Sequence, residues 1–253
     1  MPGALPDVLS SDGQFVYMRH MRFNLAGAEQ EPDVTHLFSP AGFLDDSWWH
    51  RTYWLYGTDM SSGWGGWLIA GRQAPAGRLL VLDESFVYGF GRLNQYDRHG
   101  SHVGLDGLSL PWPPPPTGGQ PWPRTQYYLF ACAKSPNVIE THTKQDQKNK
   151  NKRSARSMTQ IECRWSESVG LWVRAMVLAD KTLFMAGPPD VFSRESQIDK
   201  RQVLLYAVSA EDGKKLAEYK LESPPVFDGM IAANGRLYIS TQDGRLLCMG
   251  KNK

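Results

Sequence analysis

Met230-Ile231-Ala232-Ala233-Asn234-Gly235-Arg236-Leu237-Tyr238-Ile239-Ser240, followed by Gln242-Asp243-Gly244-Arg245-Leu246-Leu247-Cys248-Met249, reads as three short strands joined by two tight turns. Asn-Gly and Asp-Gly accept positive φ at little cost, and the flanking apolar and aromatic residues are strand formers. Just upstream, Val203–Val208 and Lys215–Leu221 flank Glu211-Asp212-Gly213 in the same manner. Val203–Val208, Lys215–Leu221, Leu237–Ser240 and Arg245–Met249 are expected to form one unit of four antiparallel strands with short connections.

The hairpin recurs along the chain. Val8-Leu9-Ser10-Ser11-Asp12-Gly13-Gln14-Phe15-Val16-Tyr17, Leu80-Val81-Leu82-Asp83-Glu84-Ser85-Phe86-Val87-Tyr88 and Met176-Val177-Leu178-Ala179-Asp180-Lys181-Thr182-Leu183-Phe184 repeat the pattern of Met230–Tyr238. The last interval between aligned aromatics is 54 residues (238 − 184), close to the roughly 40–50 of a propeller blade. The middle interval is lengthened by a low-complexity insert, the first by the aromatic and glycine-rich segment Trp48 to Trp67. A small up-and-down sheet cannot bury both faces alone, and radial stacking of such sheets solves that problem. The expected fold is all-β, a partial β-propeller of about three to four four-stranded antiparallel blades.

Residues 1–110 and 161–253 read as blades, with the insert at 111–160 between them. Leu110 to Pro123 is too rich in proline for a sheet ladder and predicts extended polyproline-like chain. Tyr127–Ala131 reads as a strand returning to a blade. Lys134 to Gln160, polar and basic, reads as a disordered loop.

Leu205-Tyr206-Ala207-Val208-Ser209-Ala210-Glu211-Asp212-Gly213-Lys214 resembles the pyrroloquinoline-quinone-like (PQQ-like) repeat of bacterial quinoprotein-type propellers. Pro225-Val226-Phe227-Asp228-Gly229-Met230 through Cys248 is similar to a terminal blade of that family, and the last ninety or so residues carry the likeness best. The resemblance implies a larger ring of which this chain supplies the C-terminal portion, and an extracytoplasmic setting. Met1 to Asp12 lacks the basic start and apolar run of a signal peptide. Of the family's two branches, the dehydrogenases use a disulfide between adjacent cysteines, a calcium ion and an aspartate base. No two cysteines are adjacent here. The resemblance therefore implies the other branch: a non-catalytic scaffold that binds protein or glycan, with no cofactor, no catalytic residue and self-association through open blade edges. The alternatives are a quinone-dependent oxidoreductase fragment and a carbohydrate-binding module.

A net charge of +2 gives no reason to expect nucleic acid, although Lys144, Lys148, Lys150, Lys152, Arg153 and Arg156 cluster against Asp146 alone. No apolar run approaches the length of a membrane span. Cys132, Cys163 and Cys248 form no Cys-x-x-Cys pair, and their odd number leaves at least one free or bonded between molecules. His99-Gly100-Ser101-His102 reads as an exposed polar loop rather than a metal site.

One stretch has the chemistry of a binding site. Asp45-Asp46-Ser47-Trp48-Trp49-His50-Arg51-Thr52-Tyr53-Trp54-Leu55-Tyr56 alternates, placing Trp48, His50, Trp54 and Tyr56 on one face and Trp49, Arg51, Tyr53 and Leu55 on the other. As a ligand platform it would offer aromatic faces from Trp48 and Trp54, with Asp45, Asp46, His50 and Arg51 as polar anchors. As structure it would fill the wedge between two blades.

Overall fold

The computed structural model describes residues 8–31, 34–39, 53–58, 74–92, 127–135, 137–141, 156–160, 163–189 and 202–250. Among these residues the secondary structure is all β, in small antiparallel sheets. The first sheet is a meander of β1 (Leu9–Ser11), β2 (Phe15–Met18), β3 (Met21–Asn24) and β4 (Glu29–Gln30). The second runs β5 (His36–Phe38), β6 (Trp54–Gly57) and β7 (Ala76–Gly77). The third begins with β8 (Leu79–Leu82), β9 (Phe86–Arg92) and β10 (Tyr127–Ala133). A separate hairpin of β11 (Asn137–Thr141) and β12 (Arg156–Gln160) follows, and the chain returns to the third sheet as β13 (Cys163–Glu167) beside β10. The fourth sheet is β14 (Ala175–Ala179), β15 (Thr182–Gly187), β16 (Val203–Ser209) and β17 (Lys215–Leu221). The fifth is β18 (Pro225–Ala233), β19 (Arg236–Thr241) and β20 (Leu246–Gly250).

Each of the four repeated hairpins forms the first two strands of a sheet. Three expectations change. There are five sheets of three or four strands among the described residues, more than the three to four expected, because the Trp-rich interval holds β6 of a sheet of its own. The strands from Val203 to Met249 do not make one group of four. Pro224 and Pro225 lack the N–H that continues a ladder, and the chain leaves the fourth sheet there to begin the fifth. Finally, the two ends of the stretch expected to be disordered pair as β11 and β12, in register from Asn137↔Gln160 to Thr141↔Arg156.

The sheets stack face to face, and period-2 alternation divides each interior strand between two neighbours. In the third sheet Leu79, Tyr88, Phe90, Leu129 and Ala131 pack toward the fourth. Leu80, Val87, Phe130 and Cys132 pack the other way, against Leu37, Trp54 and Tyr56 of the second. In the fourth sheet Met176, Leu183, Met185, Leu204 and Tyr206 face the third, whereas Ala175, Ala186 and Leu205 meet Met230, Leu237 and Ile239 of the fifth. Burial on both faces explains why β10 (YYLFACA) and β16 (VLLYAVS) read as continuous apolar runs. First strands meet at three of the four steps, β1 against β5, β8 against β14 and β14 against β18, whereas the second and third sheets meet through β7 against β9 and β6 against β8.

Candidate functional site

Two of the hairpin turns share one device. Asp12 Oδ1 accepts the N–H groups of Gln14 (2.9 Å) and Phe15 (2.8 Å), while Tyr17 donates its hydroxyl to Asp12 Oδ2 (2.7 Å). Asp83 does the same for Ser85 (2.7 Å), Phe86 (2.6 Å) and Tyr88 (2.8 Å). The tyrosine bond and the Phe15 N–H hold the Asp12 carboxyl below the usual carboxylate range. Burial pushes Asp83 upward, but the bonds from Phe86, Tyr88 and Ser85 outweigh it and lower its pKa. Burial, then the aspartate bond, push Tyr17 and Tyr88 each to about 12. The other two hairpins instead turn through two residues, with Asp180 (φ 52°) or Asn234 (φ 53°) in the left-handed region.

A second device joins the third and fourth sheets. The Trp165 indole N–H donates to the Ala210 carbonyl at 3.0 Å. Its ring lies over the β16–β17 turn, where a Cβ on Gly213 (φ 74°) would meet Trp165 Cε3 at 2.8 Å. Gly213 thus supplies both the turn conformation and the room for the ring.

Where the first strands meet, three aromatic residues, in or beside the second, fourth and fifth sheets, converge on Arg78, which is 1% exposed. Its guanidinium carbon lies 4.8 Å from the Trp172 ring centroid, 5.0 Å from Tyr53 and 5.9 Å from Phe227. Arginine suits such a place because its planar cation is weakly hydrated and stacks on aromatic faces. Phe227 belongs to a bulge in β18: the register passes from Pro225↔Thr241 to Met230↔Ile239, leaving Val226–Gly229 opposite Ser240 alone. Gly229 is needed there, since a Cβ would clash with the Val226 side chain and lie 3.0 Å from its carbonyl oxygen. The bulge holds Asp228 at φ 57°, its N–H donating to the Arg174 carbonyl at 2.8 Å. Arg174 Nε donates to the Pro225 carbonyl at 3.0 Å.

Asp228 reaches solvent at its edge, yet protein crowds the carboxyl and the loss of water raises its pKa. Burial lowers that of Arg174. Arg78 is sealed inside and can only tie sheets together. Asp228 can offer an acceptor to something arriving at this end of the strands. The sequence signal was Asp228-Gly229 within an apolar run, a bulge signature that also reads as an ordinary part of a strand.

Of the residues read from sequence as a ligand platform, Asp45, Asp46, Trp48, His50 and Arg51 lie outside the described residues, as do Trp64, Trp67, His99 and His102. Trp54 is described: it sits half-buried beside Leu80, Val87 and Phe130, in the packing between the second and third sheets. Tyr53 and Leu55, on the opposite face, are fully buried. Cys132 and Cys163, cross-strand partners on β10 and β13, form a disulfide, and Cys248 is free and exposed. Their sequence positions carried no sign of this, because register rather than spacing brings them together. Among the described residues no group of three or more His, Cys, Asp or Glu could hold a metal, and no helix is long and apolar enough to cross a membrane. Neither models of protein families nor curated proteins give a match to the chain.

Proposed function

We propose that the chain is a segment of a PQQ-like β-propeller that serves as a non-catalytic scaffold, binding a protein or glycan where the first strands of its sheets meet. The observation that carries this reading is the contact of first strands, β8 against β14 and β14 against β18, each an edge strand of its own meander. Sheets arranged around an axis have that order. The polar side chains traced above also favour a scaffold. Asp12, Asp83, Tyr17, Tyr88, Trp165 and Arg174 are all engaged in turns or contacts between sheets. The disulfide fits an oxidising compartment, in keeping with the extracytoplasmic setting that the resemblance implies.

Screening against peptide and glycan arrays tests the binding role. Asp228→Asn is expected to abolish retention of whatever the wild-type chain captures while leaving its melting temperature within a few degrees. Incubation with PQQ and calcium, followed by a dye-linked alcohol assay, should give no turnover. Sustained turnover would overturn the scaffold reading.

A further inference from the structure

Three consecutive residues at the start of β13 join the third sheet to the fourth. Cys163 is bonded to Cys132 of β10, within its own sheet. Arg164 reaches Glu211, on the β16–β17 turn of the fourth sheet, at 3.3 Å. Trp165 donates its indole N–H to Ala210 at the same turn and covers Gly213. The turn is tied onward, since the Ala210 N–H donates to the Lys181 carbonyl between β14 and β15 at 2.9 Å. β13 is the edge strand of the third sheet, beside β10. Its ladder runs evenly from Leu129↔Glu167 to Ala131↔Trp165, then skips Arg164 and resumes at Cys132↔Cys163. The disulfide thus lies beyond a bulge, where the backbone ladder is interrupted. The sulfur bridge is what fixes the start of β13 there. The two sulfurs differ in access: Cys132 is fully buried among Leu80, Val87 and Phe130, whereas Cys163 reaches solvent.

We propose that the Cys132–Cys163 bridge is a redox latch on the joint between the third and fourth sheets. A dithiol reductant attacks the Cys163 sulfur with one thiolate. The S–S bond breaks, and the Cys132 sulfur leaves and takes up a proton. The second thiolate of the reductant then displaces Cys163 from the mixed disulfide, and that sulfur is protonated in turn. Two electrons pass from the dithiol, which becomes a disulfide, to the bridge, which becomes two thiols. With the bridge open, the bulged start of β13 loses the tie that sets its position, and Trp165 leaves its place on the β16–β17 turn. The Arg164–Glu211 pair is solvated on both sides and too weak to hold the segment alone. Reoxidation seats the ring again. The inference needs only the contacts of β13 and holds whether or not the sheets are blades of a ring.

Nuclear magnetic resonance on the full, isotope-labelled chain tests this, because it reads the folded state directly. The Trp165 indole N–H peak is assigned by its absence from Trp165→Phe. When dithiothreitol is added to the native chain, that peak and the amide peaks of Ala210 to Lys214 should shift, while those of β18, β19 and β20 stay in place. Removing the reductant and reoxidising should return them. The double variant Cys132→Ser, Cys163→Ser should show the shifted spectrum with no reductant present. Unmoved Trp165 and Ala210–Lys214 peaks after the bridge has opened would make it a plain staple and overturn the proposal. A bridge that dithiothreitol opens only by unfolding the chain overturns it too, as do shifts spread evenly over all the sheets or a double variant with the oxidised spectrum.

Discussion

Asp12 and Asp83 close their turns with one carboxylate each, bonded to two backbone N–H groups and a tyrosine hydroxyl. Asp83→Ala would leave those three donors without their acceptor. It is expected to cost about 2 kcal/mol by urea unfolding, the scale of a lost cap plus a charge-assisted bond. Asp83→Asn should cost less, since an amide oxygen still accepts. The tyrosines give the pair a signature in alkali. A folded pKa of about 12 at Tyr17 and Tyr88 lies above the ordinary value of 10.0. Their contribution is therefore complete below the unfolded pKa and is lost as pH rises through the folded one. Stability should fall between those two values, and the fall should be smaller in a Tyr17→Phe, Tyr88→Phe double variant. The Asp-x-x-Phe-Val-Tyr pattern was visible in both sequence copies. The carboxylate bonds were not, because the backbone freedom of Asp-Gly explains a turn without saying where the aspartate side chain is aimed.

At the scale of elements, contacts between neighbours hold what single strands cannot. Trp165 from β13 rests on the β16–β17 turn, so Gly213→Ala should destabilise the chain although its site is a surface turn. Trp165→Ala should cost roughly 3 kcal/mol, the range for removing a buried large aromatic. The two substitutions together should cost less than the sum of each alone, which a double-mutant cycle measures. The Cys132–Cys163 bridge closes a loop with a sequence separation of 31. Replacing both cysteines with serine should cost about 4 kcal/mol by the chain-entropy scale. Gly229→Ala should disturb the β18 bulge and Phe227 with it, moving the Arg78 cluster without touching it. A change in tryptophan fluorescence from Trp172 would report that movement. Strand positions at the hairpins were legible in the sequence because apolar residues and turn formers alternate at short range. The bulge, the tryptophan seat and the disulfide were not, because each depends on residues brought together by register.

For the whole molecule, the stack of sheets predicts a gradient of stability. The central strands β9, β10, β15 and β16, paired on both sides, should exchange amide protons most slowly, and β17 and β20, at the edges of their meanders, most rapidly. Equal exchange across each sheet would argue against this layering of central and edge strands. The local sequence by itself determined the β character and the places where the chain turns, since Asn-Gly, Asp-Gly and the proline pair act on the backbone of their immediate neighbours. The unbroken apolar runs of β10 and β16 are there in the sequence, but that both faces of each are covered came only from the packing of their sheets. Only the tertiary structure decided how the strands divide into sheets and which face of each is covered. It alone set Arg78 among three aromatic rings drawn from different sheets. Those features arise from packing between segments far apart in the chain. An apolar strand reads the same whether its neighbour is the next hairpin, a distant sheet or a second molecule.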